Sequence, residues 1–263
     1  MTRAQRLARI IDLLGERGDI AVEDLVEQLG VSPATARRDL DALAQQQLLT
    51  RTRGGAVAHG VAYELPLRYR NQQHPTEKQR IARAASALVE TGAVVGLSGG
   101  TTTSLIASAL GARLDLAADT GGVPSVTIVT NAVNIAAELA SRPHVKVVLT
   151  GGVLNPRTYE AVGGLAEQVL RSLTLDIAFI GAAALHPVTG ATTHDEREAD
   201  VNRLMAHRAR RAILTVDSSK LGREAFAVIG GAAAFPTVLT DPRITREQRD
   251  DLVAQGYEVL VAE

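Results

Sequence analysis

Apolar residues recur at helical spacing from the start of the chain: Leu7, Ile10, Ile11 and Leu14 define one amphipathic helix that stops within Gly15 to Gly18. Ile20 and Val22 suit a short strand or extended entry, and Leu25, Val26 and Leu29 mark a second helix closed by Gly30 in a left-handed turn. A third helix follows, with Ser32 as N-cap and Pro33 at its first position, where no amide donor is needed. At about 100° per residue, Ala36, Leu40 and Leu43 fall on its buried face. Ala34, Arg38 and Asp41 fall opposite, and Thr35 and Arg37 lie on the flanks. Leu48 to Ala58, LLTRTRGGAVA, has two β-prone arms around Arg53-Gly54-Gly55 and predicts a hairpin. Three helices and a basic hairpin are a winged helix-turn-helix.

Residues 59–75 lack periodicity, carry Pro66 and Pro75, and are expected to form a linker in which Leu65, Leu67 and Tyr69 can pack. Thr76 with Gln79 matches a capping box and opens a helix through Val89. Beyond it, apolar strand candidates at 93–98, 125–130, 145–150, 176–182, 212–217, 237–241 and 257–262 alternate with helix candidates at 101–110, 131–140, 161–171, 195–210 and 245–255. Uninterrupted apolar strands separated by helices predict an α/β domain, a buried, mostly parallel sheet with helices on both faces. Residues 111–124 read as an irregular loop without an assignable role, and no internal repeat is present.

The 263 residues suffice for two domains, and a hydrophobic content of 46% suffices for their cores. No cysteine is present, which excludes disulfides, thiolate metal sites and a cysteine nucleophile. The apolar stretch of the N-terminus is interrupted by charges, as in an amphipathic helix rather than a signal peptide, so a cytoplasmic protein with no membrane association is expected. The net charge of −1 carries no nucleic-acid signature. Residues 1–57 are neutral as well, with eight arginines (3, 6, 9, 17, 37, 38, 51, 53) against eight acids (12, 16, 19, 23, 24, 27, 39, 41). DNA binding must therefore come from placement: six of the eight acids gather in the first two helices and the turn between them, and from Arg37 onward four arginines face two acids.

Small residues and arginines at the N-terminal end of an exposed helix suit the major groove. Ser32, Ala34 and Thr35 permit close approach, while Arg37 and Arg38 can take guanine or phosphate. Arg51 and Arg53 on the wing would hold phosphates. The competing reading of Arg37 and Arg38 is a solvated surface helix. In the second domain, ligands are expected outside the carboxyl ends of the strands. Those ends carry Ser98-Gly99-Gly100-Thr101-Thr102-Thr103, Asn131, Gly151-Gly152, Gly181 and, at the end of Asp217-Ser218-Ser219, Lys220, one of three lysines in the chain. Glycines, hydroxyls and a helix N-terminus favour an anion that also bears hydroxyl groups, such as a sugar phosphate. Neither a Walker A sequence nor GxGxxG is present, which disfavours nucleotides.

Asp195 opens a helix with Glu196 and Glu198, where acids complement the dipole. Alternatively, Asp195 or Glu198 closes over the ligand. Tyr159 and Glu160 are placed to shape the same pocket, Asp176 reads as structural, and Arg203, Arg208, Arg210 and Arg211 form a basic run beside a helix end. His186 and His194 lack zinc spacing; neither a metal site nor a cofactor is expected.

The segment RLARIIDLLGERGDIAVEDLVEQLGVSPATARRDLDALAQQQLLTRTRGGAV resembles the DNA-binding domain of the DeoR family of bacterial transcription regulators, through its VS-x-x-T-x-RRDL core and its basic wing ending in GGA. The resemblance covers residues 3–58 and departs at Ala36, where the family more often has a β-branched residue. GLSGGTTTSLIASAL, TIVTNAVNIAAELA, VVLTGGVLNPRTYEAVG, DIAFIGAAAL, GATTHDEREADVNRLM and TVDSSKLG resemble the family's sensor domain across residues 76–241. That domain in turn resembles ribose-phosphate isomerase and CoA-transferase folds. Many members have Asp-x-Gly-Thr-Thr where this chain has Ser98-Gly99-Gly100-Thr101-Thr102, and lysine where it has Asn202.

The resemblance implies a regulator, most simply a repressor of carbohydrate genes, with an effector-sensing and oligomerisation domain over 76–263. Its partners would be double-stranded operator DNA, a phosphorylated sugar and further copies of itself, as a dimer or tetramer. The alternative from another class is a sugar-phosphate isomerase with an appended DNA-binding module, needing a carboxylate base that Asp195 or Glu160 would supply.

Overall fold

The computed structural model describes residues 1–46, 48–57, 67, 73–117 and 123–263. The chain divides into two compact units, Met1–Gln73 and His74–Glu263. Most of the expected linker, including Leu65 and Tyr69, lies outside the described residues, as does 118–122 of the irregular loop; Leu67 is described and buried.

In the first unit, α1 (Arg3–Arg17) is opened by a Thr2–Gln5 capping box and closed by Gly18 at φ 81°. β1 (Asp19–Ala21) leads into α2 (Val22–Leu29), so Val22 belongs to the helix and only Ile20 to the strand. Gly30 at φ 63° makes the left-handed turn into α3 (Pro33–Gln45). β2 (Thr50–Arg51) and β3 (Gly55–Val57) form the hairpin. β3 also pairs antiparallel with β1, so the hairpin is the outer part of a three-stranded sheet. That pairing depends on Gly55, since a Cβ there would lie 2.0 Å from the Ile20 carbonyl oxygen. The core joins Leu7, Ile10 and Leu14 of α1 to Leu25, Ala36, Leu40 and Leu43.

The second unit opens with α4 (Pro75–Ala87), two residues earlier than the Thr76–Gln79 box implies. His74, at φ 47°, is the N-cap, and Pro75 takes the first turn. The chain then runs β4 (Val94–Leu97), α5 (Thr101–Gly111), β5 (Val126–Thr130), α6 (Val133–Leu139) and β6 (Val145–Leu149). A small hairpin, β7 (Val153–Leu154) with β8 (Ala161–Val162), precedes α7 (Gly164–Arg171). The helix expected over 161–171 therefore starts late: its first residues pair with β7, and Gly163 turns at φ 89°. Next come β9 (Leu175–Ile180), β10 (Ala184–His186), β11 (Gly190–Thr193) and α8 (Glu196–His207). β12 (Ala209–Thr215), β13 (Ala227–Gly230), β14 (Thr237–Thr240), α9 (Arg246–Ala254) and β15 (Glu258–Val261) complete the unit. Arg210 and Arg211 thus lie in a strand rather than at a helix end, because β12 begins where Ala209 pairs with Leu175.

Seven strands form one sheet in the order β15-β14-β12-β9-β4-β5-β6, and every pair in it is parallel. One face packs on α4, α5 and α6 through Ile81, Ile106 and Ile135; the other packs on α7 and α8 through Leu170 and Met205. β10, β11 and β13 form a separate antiparallel sheet that hydrophobic periodicity did not announce. From β4 the chain moves outward through β5 and β6, then returns to β9 on the other side of β4. The strand order reverses between β4 and β9, and in open α/β sheets the crevice outside the carboxyl ends at such a reversal is where ligands bind.

Candidate nucleic-acid interface and ligand crevice

In α3, Ala36, Leu40 and Leu43 are wholly buried, which presents the opposite face outward. The Ser32 hydroxyl accepts the Thr35 amide at 3.2 Å and lies 2.9 Å from the Thr35 hydroxyl, so both side chains take part in starting the helix. Ala34, Arg37 and Arg38 are exposed just beyond this cap, and Arg53 is exposed at the tip of the wing. Arg51 is half-buried: its Nε donates to Asp41 at 2.8 Å and its Nη1 to the Gly55 carbonyl. It braces the wing against α3, and part of its charge is already matched. Sequence reasoning overlooked Asp39, which is buried on the inner side of α3 and paired with Arg6 of α1. Its neighbours Arg37 and Arg38 read as a single basic cluster with it, yet one helical step turns the acid inward.

In the second unit, the carboxyl ends of β4 and β9 are tied together at the reversal. The Ser98 hydroxyl accepts the Gly181 amide at 3.0 Å and donates to the Gly99 carbonyl at 3.2 Å. Gly100, at φ 125°, is the N-cap of α5. Thr101, Thr102 and Thr103 on its first turn are buried. Thr103 and Ser104 donate to the Gly100 carbonyl at 3.1 and 2.7 Å, whereas the buried Thr102 hydroxyl has no partner among the described residues. Asn131, after β5, is wholly buried; its Nδ2 donates to Glu160 at 3.1 Å and its Oδ1 is left unpartnered.

Gly151 and Gly152 adopt φ 70° and 123°. A Cβ on Gly152 would meet the Val162 carbonyl oxygen at 2.6 Å, so it serves the β7–β8 hairpin directly. Asp195 caps α8: its carboxylate accepts the Arg197 and Glu198 amides and pairs with the Arg197 guanidinium at 2.8 Å. The hydrogen bond from that guanidinium holds the Asp195 carboxyl below its ordinary range. Lys220 follows β12, and its Nζ donates to the Ala182 carbonyl at 2.7 Å. Beside it, Asp217 is buried with its Oδ2 unpartnered. Burial pushes the Asp217 carboxyl up, but the charges of Lys220 and Lys78 and a hydrogen bond from Ser219 outweigh that and hold it low.

Sequence reasoning overlooked Lys78 and named Glu160 and Glu198 only as alternatives, without their partners. Lys78, on the first turn of α4, is buried; its spacing with Ile81 and Ala85 on the inner face is a signal that was present in the sequence. Glu160 is buried against Gly99, whose added Cβ would fall 2.2 Å from the Glu160 Cγ. Glu198, buried on α8, accepts from Thr158 at 2.6 Å and Asn155 at 3.0 Å. No residue pattern forecasts these partners, because they come from loops distant in the chain. No group of three or more His, Asp or Glu that could hold a metal occurs among the described residues, and none of the helices described is long and apolar enough to cross a membrane.

The DeoR-like helix-turn-helix domain matches residues 6–60, and the DeoR C-terminal sensor domain matches residues 73–242. The HTH-type transcriptional regulator GlpR of Haloferax volcanii is 34% identical over 99% of this chain and 98% of its own length. The glycerol-3-phosphate regulon repressor of Escherichia coli is 31% identical over 92% of each. Among solved structures, ribose 5-phosphate isomerase A of Methanocaldococcus jannaschii aligns with 58% of this chain and 54% of its own, at 22% identity and a TM-score of 0.39. That likeness is too slight to carry weight.

Proposed function

The chain belongs to the DeoR family of DNA-binding transcription regulators, and on that premise we propose that it represses genes of carbohydrate metabolism under the control of a phosphorylated sugar or polyol. The observation that carries the reading is the pairing of two kinds of surface in one chain. One unit presents exposed arginines on a capped helix; the other encloses unpartnered polar atoms at the reversal of a parallel sheet. Unpartnered buried polar atoms cost free energy unless something binds them.

In this reading Thr35, Arg37 and Arg38 read bases and phosphates. Arg53 holds the backbone through the wing, and Arg51 joins it once the wing seats. Ser32 and Ala34 allow the helix end to approach. The effector's phosphate is taken by the N-terminus of α5 at Gly100 to Thr103, with Lys220 as the nearby cation. A cytoplasmic homo-oligomer matches symmetric half-sites. The effector shifts DNA affinity by its differential affinity for the free and operator-bound states.

The test is fluorescence anisotropy on the DNA upstream of the gene, followed by titration with a panel of phosphorylated sugars and polyols. Salt-sensitive specific binding that one of them reverses supports the reading. Specific binding unmoved by any of them removes the sensor part, and loss of specificity altogether removes both. Incubation with ribose 5-phosphate is expected to yield no isomer; an isomer would favour the enzyme, with Glu160 as its base.

A further inference from the structure

We infer that the outer side of the β7–β8 hairpin, with the segments that flank it, is the surface through which two copies of this chain associate. The inference rests on the homo-oligomer of the reading proposed above and gives that homo-oligomer a place on the molecule.

Thirteen large hydrophobic side chains are exposed among the described residues, and six of them fall in this one region: Val133, Leu149, Val153, Leu154, Tyr159 and Leu165. Backbone pairing keeps them together. Val153 and Leu154 lie on β7, opposite Val162 and Ala161 of β8. The Tyr159 amide donates to the Asn155 carbonyl at 2.8 Å, and the Val133 amide, at the start of α6, donates to the Tyr159 carbonyl at 2.9 Å. Leu149 ends β6, the outermost strand on its side of the parallel sheet, and Leu165 lies on the first turn of α7. From Leu149 to Leu165 no charged residue is exposed: Arg157 is half-buried and Glu160 is buried. Apolar residues exposed singly are ordinary on a protein surface, whereas a gathered, charge-free group of them marks an interaction site.

The hairpin also fixes these side chains in place. Its inner side is tied to the end of β5 and to α8: Glu160 accepts from Asn131 at 3.1 Å, and Thr158 and Asn155 donate to Glu198 at 2.6 and 3.0 Å. Between Thr158 and Glu160, both buried, Tyr159 turns outward at φ 61°, a left-handed conformation that a tyrosine rarely takes. A surface already held in one form loses little freedom on association. The exposed fractions run from 37% at Val133 and Tyr159 to 66% at Leu165. With about 150–200 Å² for a fully exposed side chain of this kind, the six present about 500 Å² of apolar surface per protomer. A homodimer contact of about 800 Å² per partner, about 65% apolar, needs about that much. In an isologous contact an apolar, charge-free face is its own complement. A nucleic acid or a charged peptide would find no counter-charge on it.

The experiment is sedimentation equilibrium of the full-length protein from nanomolar to micromolar concentration. Leu154→Asp and, on a different element, Leu165→Asp should each weaken self-association by about thirtyfold or more, the size of an interface hot spot. Val253→Asp, at an exposed apolar residue of α9 outside the group, should change nothing. Because the chain has no cysteine, Val153→Cys supplies a single thiol and introduces no charge. Where the wild type is associated, that thiol should react with a maleimide more slowly than the one supplied by Val253→Cys, and the difference should vanish on dilution. If the folded Leu154 and Leu165 variants associate like the wild type, or the two thiols react alike at every concentration, the inference is overturned and the homo-oligomer forms on another face. If the wild type is a monomer throughout, the inference and the homo-oligomer both fall.

Discussion

The two units of this chain present polar groups for recognition in opposite ways. In the winged helix the groups offered to a partner are long, exposed and independent of the core: Arg37, Arg38 and Arg53 can be removed without opening a cavity. In the sensor unit the groups proposed to meet a ligand are short and buried, and part of the folded framework itself, as with Thr102 and Asn131. DNA is a large, flat polyanion that reaches any exposed cation. A small ligand offers few contacts, and each must be made out of water to count. On the proposed reading, the first unit can change its partner contacts at little cost to stability, whereas the second would carry its site as a standing penalty that binding relieves.

The sharpest test of that contrast is a residue of the first unit that behaves as if it belonged to the second. Asp39 is buried and paired with Arg6, with Arg3 at 3.9 Å. Asp39→Ala leaves Arg6 without its partner and is expected to cost about 3–5 kcal/mol of winged-helix stability, read by urea unfolding and hydrogen exchange over α1–α3. Arg38→Ala should do the reverse, with unchanged unfolding but a loss of about 1–3 kcal/mol in operator affinity. Wild-type affinity in that variant would remove α3 from the interface.

Ser32→Ala lies between the two. Its hydroxyl holds the Thr35 amide at the start of α3, so the loss should be about 1 kcal/mol in stability, with a parallel weakening on DNA. In the sensor unit, Asp217 has its carboxyl held low, so its contribution is present above the ordinary carboxylate pKa of about 3.9. It is lost as pH falls through the lowered value. Melting temperatures from neutral pH to pH 3 should fall on that acid limb, and Asp217→Asn should flatten it. The smallest effect on stability is expected at Thr102. Thr102→Val removes an unpartnered buried hydroxyl and should leave the melt unchanged while weakening effector binding, and a clear loss of stability would show that its oxygen has a structural partner.

The three-helix order, the caps at Ser32 and Gly30 and the inward face of α3 were readable because each depends on residues within one or two turns. The alternation of strands and helices was readable for the same reason. What escaped was the partnering. Arg51 was read as a phosphate ligand from its place on a basic wing, but its braces to Asp41 and Gly55 depend on how the hairpin folds back on α3. The run 161–171 was read as one helix because its apolar spacing allows it; the β7 pairing at Ala161 and Val162 overrode that spacing. Thr76 and Gln79 have the residue types of a capping box, but Pro75 set the start of α4 earlier.

On its own, then, the order of residues determined the local elements, the kind of sheet and the fact that glycines and hydroxyls collect at its carboxyl edge. The tertiary structure alone decided which of those groups remain available to a ligand. The Gly181 amide donates to the Ser98 hydroxyl across 83 residues, and Asn131 to Glu160 across 29, leaving Thr102 and Asn131 Oδ1 without a partner among the described residues. Helix caps and hydrophobic faces are satisfied by near neighbours and so are written in short spacings. Whether a buried polar atom is satisfied depends on every segment that packs around it, and that is settled only when the whole sheet has closed.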